Sequence, residues 1–137
     1  MRHRVIAAGV LLALVVLATS CAASTTRQKG VLPSRVIVPG SVTITVTPTR
    51  LDDRGANFAI ILDTHSGELS TDLAATTSLE VGGRAWPAPG WNGDGPSGHH
   101  RSGELRFKPG GPAQGTARLT IRGFDERVVA TWKLPSR

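Results

Sequence analysis

Residues 42–47 run Val-Thr-Ile-Thr-Val-Thr, and no other stretch restricts the fold as much. Side chains alternate between two faces along a strand but follow a 3.6-residue period along a helix. A strict two-residue alternation therefore yields one apolar face only in the extended conformation. Val42, Ile44 and Val46 face one side, and Thr43, Thr45 and Thr47 the other. That is the pattern of an antiparallel strand with one face covered and the other in water. All six side chains are β-branched, and their stiff χ1 suits a pleated surface better than a helix.

The same alternation returns further along. In residues 57–63 it turns Phe58, Ile60 and Leu62 inward, with Ile61 on a partly covered opposite face. In residues 78–81 it turns in Leu79 and Val81, in 104–108 Leu105 and Phe107, and in 116–122 Leu119 and Ile121. In residues 127–134 it turns in Val128, Ala130, Trp132 and Leu134. Residues 36–38 form a short first strand that Pro39-Gly40 ends. Segments 51–55, 109–114 and 123–126 carry the Gly, Pro and Asp of turns. Residues 64–72 make a connection from which Leu69 and Leu73 tuck under the core, and 69–77 is the one candidate for a helical turn. Six to seven short strands predict an all-β fold, a single Ig-like antiparallel β-sandwich. "Ig-like" refers to architecture, since Cys21 is the only cysteine and a Cys…Trp…Cys signature needs two.

Residues 84–103, RAWPAPGWNGDGPSGHHRSG, interrupt the series. They read as one long loop, and loops of that length in a small domain usually carry function. The net charge of +6 comes from arginines interleaved with acids, without a Lys/Arg run or a basic stripe bearing aromatics. That excludes nucleic acid as the expected partner. A weak attraction to anionic lipid or cell-wall polymer fits the balance better.

The N-terminus is a targeting segment. Met-Arg-His-Arg precedes an apolar run over residues 5–17, too short to span a bilayer comfortably. Ala18, Thr19 and Ser20 then lead to Cys21. Small residues ahead of a single cysteine resemble the bacterial lipoprotein signal, with Ala18 where leucine is favoured. The resemblance implies cleavage before Cys21 and diacylglyceryl attachment to it, with palmitate-type chains holding the protein in a cell membrane or outer membrane. It would face the extracytoplasmic side. The expected organisation is a signal peptide over 1–20, a lipidated cysteine and flexible tether over 21–34, and the sandwich over 35–137.

Three chemistries deserve testing against the residues. Asp63 and His65 lie two apart, so on a strand they share a face. With one of His99 or His100 they would make a His₂-carboxylate set suited to Cu or Zn, with Asp94 or Glu68 in reserve. The alternative is that His65 pins the loop by hydrogen bonds. Trp86 and Trp91, with Arg101, would offer a ligand-binding platform for a sugar ring or a protein partner. Against this, Trp86 suits a cap on the core, and Trp132 belongs to the last strand's inner face. For catalysis, GxSxG, HExxH and the phosphate-loop pattern are all missing from the sequence, so no enzyme is expected.

The segments Asp-Thr-His-Ser with Leu69, and Gly-His-His-Arg-Ser-Gly with Leu105 and Phe107, resemble a group of small exported bacterial domains. That group pairs a DTHS segment with a Trp-containing loop and a GGHHRSG segment; here Ser97 replaces one glycine. The resemblance spans roughly residues 42–134. It implies an exported location and a sandwich-like fold, and it joins His65 to His99-His100 as one candidate site. The expected function is a non-enzymatic, lipid-anchored binding or accessory module of the cell envelope, its partner an envelope protein or polysaccharide. Copper or zinc binding is the alternative.

Overall fold

The computed structural model describes residues 31–136. Among these are nine strands: β1 (Arg35–Ile37), β2 (Val42–Asp52), β3 (Gly55–Thr64), β4 (Thr77–Val81), β5 (Arg84–Ala85), β6 (Gly90–Gly93), β7 (His100–Phe107), β8 (Thr116–Ile121) and β9 (Val128–Lys133). One helical turn, α1 (Leu73–Thr76), precedes β4, and the Asp72 side chain caps it by accepting from Ala75 N. The strands form two antiparallel sheets, ordered β1-β2-β3-β7-β6 and β5-β4-β8-β9. The all-β sandwich expected from the alternation is the fold observed. The expected signal peptide, Cys21 and most of the expected tether lie outside the described residues.

The longest pairing is β2 with β3, closed by a turn at Asp53-Arg54. Asp52 sets this turn, accepting from Arg54 N at 2.9 Å and from its guanidinium at 3.0 Å. Those bonds hold the Asp52 carboxyl below its usual pKa. β2 runs on past the alternating residues 42–47 and through Pro48 to Asp52. Proline lacks an N–H for the ladder, and the register shifts between Pro48 and Arg50. A bulge thus carries the strand past the proline.

The inward positions of the two sheets make one core. Ile44, Val46, Phe58, Ile60, Leu62, Leu105 and Phe107 come from the first sheet. Leu79, Val81, Leu119, Ile121, Val128, Ala130 and Trp132 come from the second. Phe58 joins the layers, with its ring edge-on to Phe107 at 5.9 Å and tilted against Trp132 at 5.3 Å. Burying each large apolar side chain contributes about 1.5–3 kcal/mol, so this core supplies most of the stability without a disulfide. Leu69 and Leu73 close its lower end, at 2% and 1% exposure.

Two expectations change. Residues 84–103 are not one loop, since they contain β5, β6 and the first part of β7. The domain also begins earlier than residue 35. Leu32 packs on the core, Pro33 O accepts from Trp132 Nε1 at 2.7 Å, and Ser34 Oγ meets Thr47 Oγ1 at 2.7 Å.

Candidate functional site

The parity of β7 decides what residues 84–103 can do. Counting back from Phe107, the core-facing positions are Leu105, Gly103 and Arg101. Arg101 therefore enters the protein, 2% exposed. Its Nη1 donates to Leu69 O at 2.9 Å and Thr71 O at 2.8 Å, and its Nη2 to Asp94 O at 3.3 Å. Its Nε has no partner among the described residues. The guanidinium lies 5.8 Å from the centroid of the Trp91 ring, within cation–π range. Burial pushes its pKa down, while the Asp94 and Asp72 carboxylates favour the charged form. Arginine stays ionised even so. The side chain assigned to ligand binding is instead a buried clamp on the 69–71 and 94 backbones.

The tryptophans are likewise not a platform. Trp86 is 5% exposed and continues from β5 into the core. Its N donates to Leu79 O at 2.9 Å, and a Cβ on Gly110 would stand 2.8 Å from its ring. Trp91, on β6, pairs with Leu105 and so shares its inner face. It is half-buried, with Nε1 donating to Asp94 O at 2.9 Å. Its ring lies over Gly103, where a Cβ would meet Trp91 Cζ2 at 2.6 Å. Trp132 is core, as its strand position predicted.

The histidines divide. Asp63 and His100 are register partners on the outer face of β3 and β7. His100 Nδ1 lies 2.5 Å from Asp63 Oδ1, with both side chains more than half exposed. His65 does not join them. Thr64 ends β3, donating its hydroxyl to Ser66 O at 2.7 Å and accepting from Ser66 N. This turn carries His65 off the strand and breaks its shared face with Asp63. His99 gives its backbone oxygen to Thr64 N at 2.9 Å, while its imidazole makes no hydrogen bond with the described residues. No group of three His, Cys, Asp or Glu suited to a metal occurs among the described residues. The proposed set of His65, His99 or His100, and Asp63 is therefore not assembled.

Two residues beyond His100, Ser102 presents its N–H and hydroxyl to Asp94 Oδ2, at 2.7 and 3.2 Å. These donors hold the Asp94 carboxyl below its usual pKa of 3.8, with smaller help from His100 and Arg101. The Ser102 hydroxyl is thus committed to Asp94 rather than aligned on His100. What the sequence missed is this β6–β7 corner, where Asp94, Ser102, His100 and Asp63 offer hydrogen bonds on an open sheet face. The parity of β7 was the signal that could have found it.

The Asp94 link has a pH signature. A carboxyl with a depressed folded-state pKa stabilises the fold above its unfolded pKa and loses that contribution as pH falls through its folded pKa. Asp94→Asn should therefore destabilise at neutral pH, with the gap from the unaltered protein closing in acid below about pH 4. Denaturant midpoints at pH 7 and pH 3 check this; a gap that stays constant with pH refutes it.

Comparisons with protein-family models, curated proteins and solved structures give no match. Fold and site define the class as a two-sheet antiparallel sandwich with polar groups arrayed on its outer faces.

Proposed function

We propose that this chain is an exported, lipid-anchored accessory module that binds an envelope partner through an outer sheet face and catalyses no reaction. The observation that carries the proposal is Cys21, the only cysteine, directly behind a basic and apolar leader. The sandwich interior supports a binding role, because Arg101, Trp86, Trp91 and Trp132 are all occupied in holding the fold. Recognition is left to surface groups such as those of Asp63, His100, Ser102 and Asp94.

Anchoring has a direct test. Two or three acyl chains contribute about 0.8 kcal/mol per buried CH₂, so losing them should move the protein from membrane to soluble fractions by well over tenfold. Cys21→Ser, followed by fractionation of the producing cells, should show that shift. An unchanged membrane fraction would overturn the lipoprotein reading.

A further inference from the structure

The two outer faces of the sandwich differ in how their cations are used. On the first sheet, Arg106 is paired with Glu104 at 2.5 Å and Arg50 donates to Asn57 Oδ1 at 3.1 Å. Asp63 and Asp94 add negative charge there. On the second sheet, Arg118, Arg122 and Arg127 are exposed and make no ion pair or side-chain hydrogen bond with the described residues. They border a shallow groove of about 410 Å³ that also includes Thr120 and Val129. Val129 is 43% exposed, and Glu80 is the one acid lining the groove. Strand parity makes this face. Leu119 and Ile121 point inward, so Arg118, Thr120 and Arg122 point out.

The chain also enters the domain beside this face. Arg35 donates to Thr131 O from Nε at 3.2 Å and from Nη2 at 3.1 Å, and Trp132 Nε1 donates to Pro33 O. Both contacts tie the entering segment to β9, the strand that carries Val129, while its residues 35–37 pair with β2 of the first sheet, so the chain enters at the border between the two sheets. Cys21 stands ten positions before Val31, so an anchor there can lie at most ~35 Å away.

We infer that the outer face of β4, β8 and β9 docks on an anionic phospholipid surface, with Arg118, Arg122 and Arg127 meeting headgroup phosphates around the exposed Val129. The lipid source is favoured over a phosphate-bearing wall polymer because the entering segment touches β9 at the border of this face, which keeps the face within the anchor's reach of the membrane. That choice rests on the anchoring proposed above; the charge asymmetry does not. Each basic residue at an anionic membrane strengthens binding by about fivefold, and the attraction is screened within a Debye length of about 10 Å at 0.1 M salt.

The test uses the chain from residue 21 onward carrying Cys21→Ser, so that neither an acyl group nor the apolar run over residues 5–17 contributes. Its partition onto vesicles of phosphatidylcholine with phosphatidylglycerol is measured for two variants of equal charge. Arg118→Gln/Arg122→Gln/Arg127→Gln removes three cations from the proposed face. Arg50→Gln/Arg54→Gln/Arg106→Gln removes three from the β2, β3 and β7 side. The first should lose roughly 100-fold and the second less than about fivefold. Equal losses, or no loss in the first, would overturn the proposal. So would unchanged vesicle binding by the first variant together with lost binding to soluble poly(glycerol phosphate), which would assign the face to a wall polymer. Failure of anchoring reads out separately, as retention of the Cys21→Ser protein in cell membranes.

Discussion

Arg101→Met should lower the unfolding free energy by about 3 kcal/mol and the melting temperature by roughly 15 °C. The guanidinium donates to the backbone oxygens of Leu69, Thr71 and Asp94 from a position with almost no access to water. Hydrogen bonds to a charged group contribute about 1.5–3 kcal/mol each, and a buried acceptor left without a donor costs about 1–3 kcal/mol. Methionine avoids the desolvation of the cation, so the two effects oppose. Three acceptors and the Trp91 ring outweigh one desolvated cation, and the net loss is large. Lysine should recover less than half of it. A single ammonium cannot span acceptors from residues 69, 71 and 94 as a planar fork does. Denaturant unfolding of the protein and both variants, followed by tryptophan fluorescence, decides the matter. A midpoint for Arg101→Met within about 0.5 kcal/mol of the unaltered protein would show that the clamp contributes nothing net.

Gly103→Ala should cost about 2–3 kcal/mol, although it adds one methyl group in the middle of a strand. That Cβ would lie 2.6 Å from Gly93 Cα, 2.6 Å from Trp91 Cζ2 and 2.7 Å from Asn92 O. Two of the three clashes are with the backbone of β6, which must move as a unit. Trp91→Ala in the same chain should therefore relieve only the ring's share and leave most of the loss. A double-mutant cycle from denaturant midpoints separates the shares. Full recovery in the double variant would mean that the ring alone demands glycine, and that β6 yields freely.

The parts of the fold that could be read from sequence are those where burial alone sets the pattern. β2, β3, β4, β8 and β9 each bury one face, so Val42 to Val46, Phe58 to Leu62 and Val128 to Trp132 announce themselves by period. β5 and β6 have no such signature. They are two and four residues long, without an alternating apolar run, and defined by the partners they pair with. β7 was half visible. Leu105 and Phe107 mark its inner face, but the next inward positions hold Gly103 and Arg101, which no hydrophobic pattern registers. Carrying the parity back from Phe107 would have placed Arg101 inside and His100 outside, opposite Asp63. The metal grouping was illegible for a different reason. The shared face of Asp63 and His65 assumed that the strand continued, and the Thr64 hydroxyl ends it one residue too soon.

The contacts that fix the entering segment also have a bearing on solubility. β9 is the last strand of its sheet, and an open strand border invites a second chain to pair with it. Arg35 occupies Thr131 O from the side, and Pro33 leans on Trp132. Proline has no N–H to extend a ladder, and a charged side chain across the border repels an incoming strand. The segment that enters the domain thus doubles as a guard against sheet-to-sheet polymerisation, which matters most where many copies crowd together.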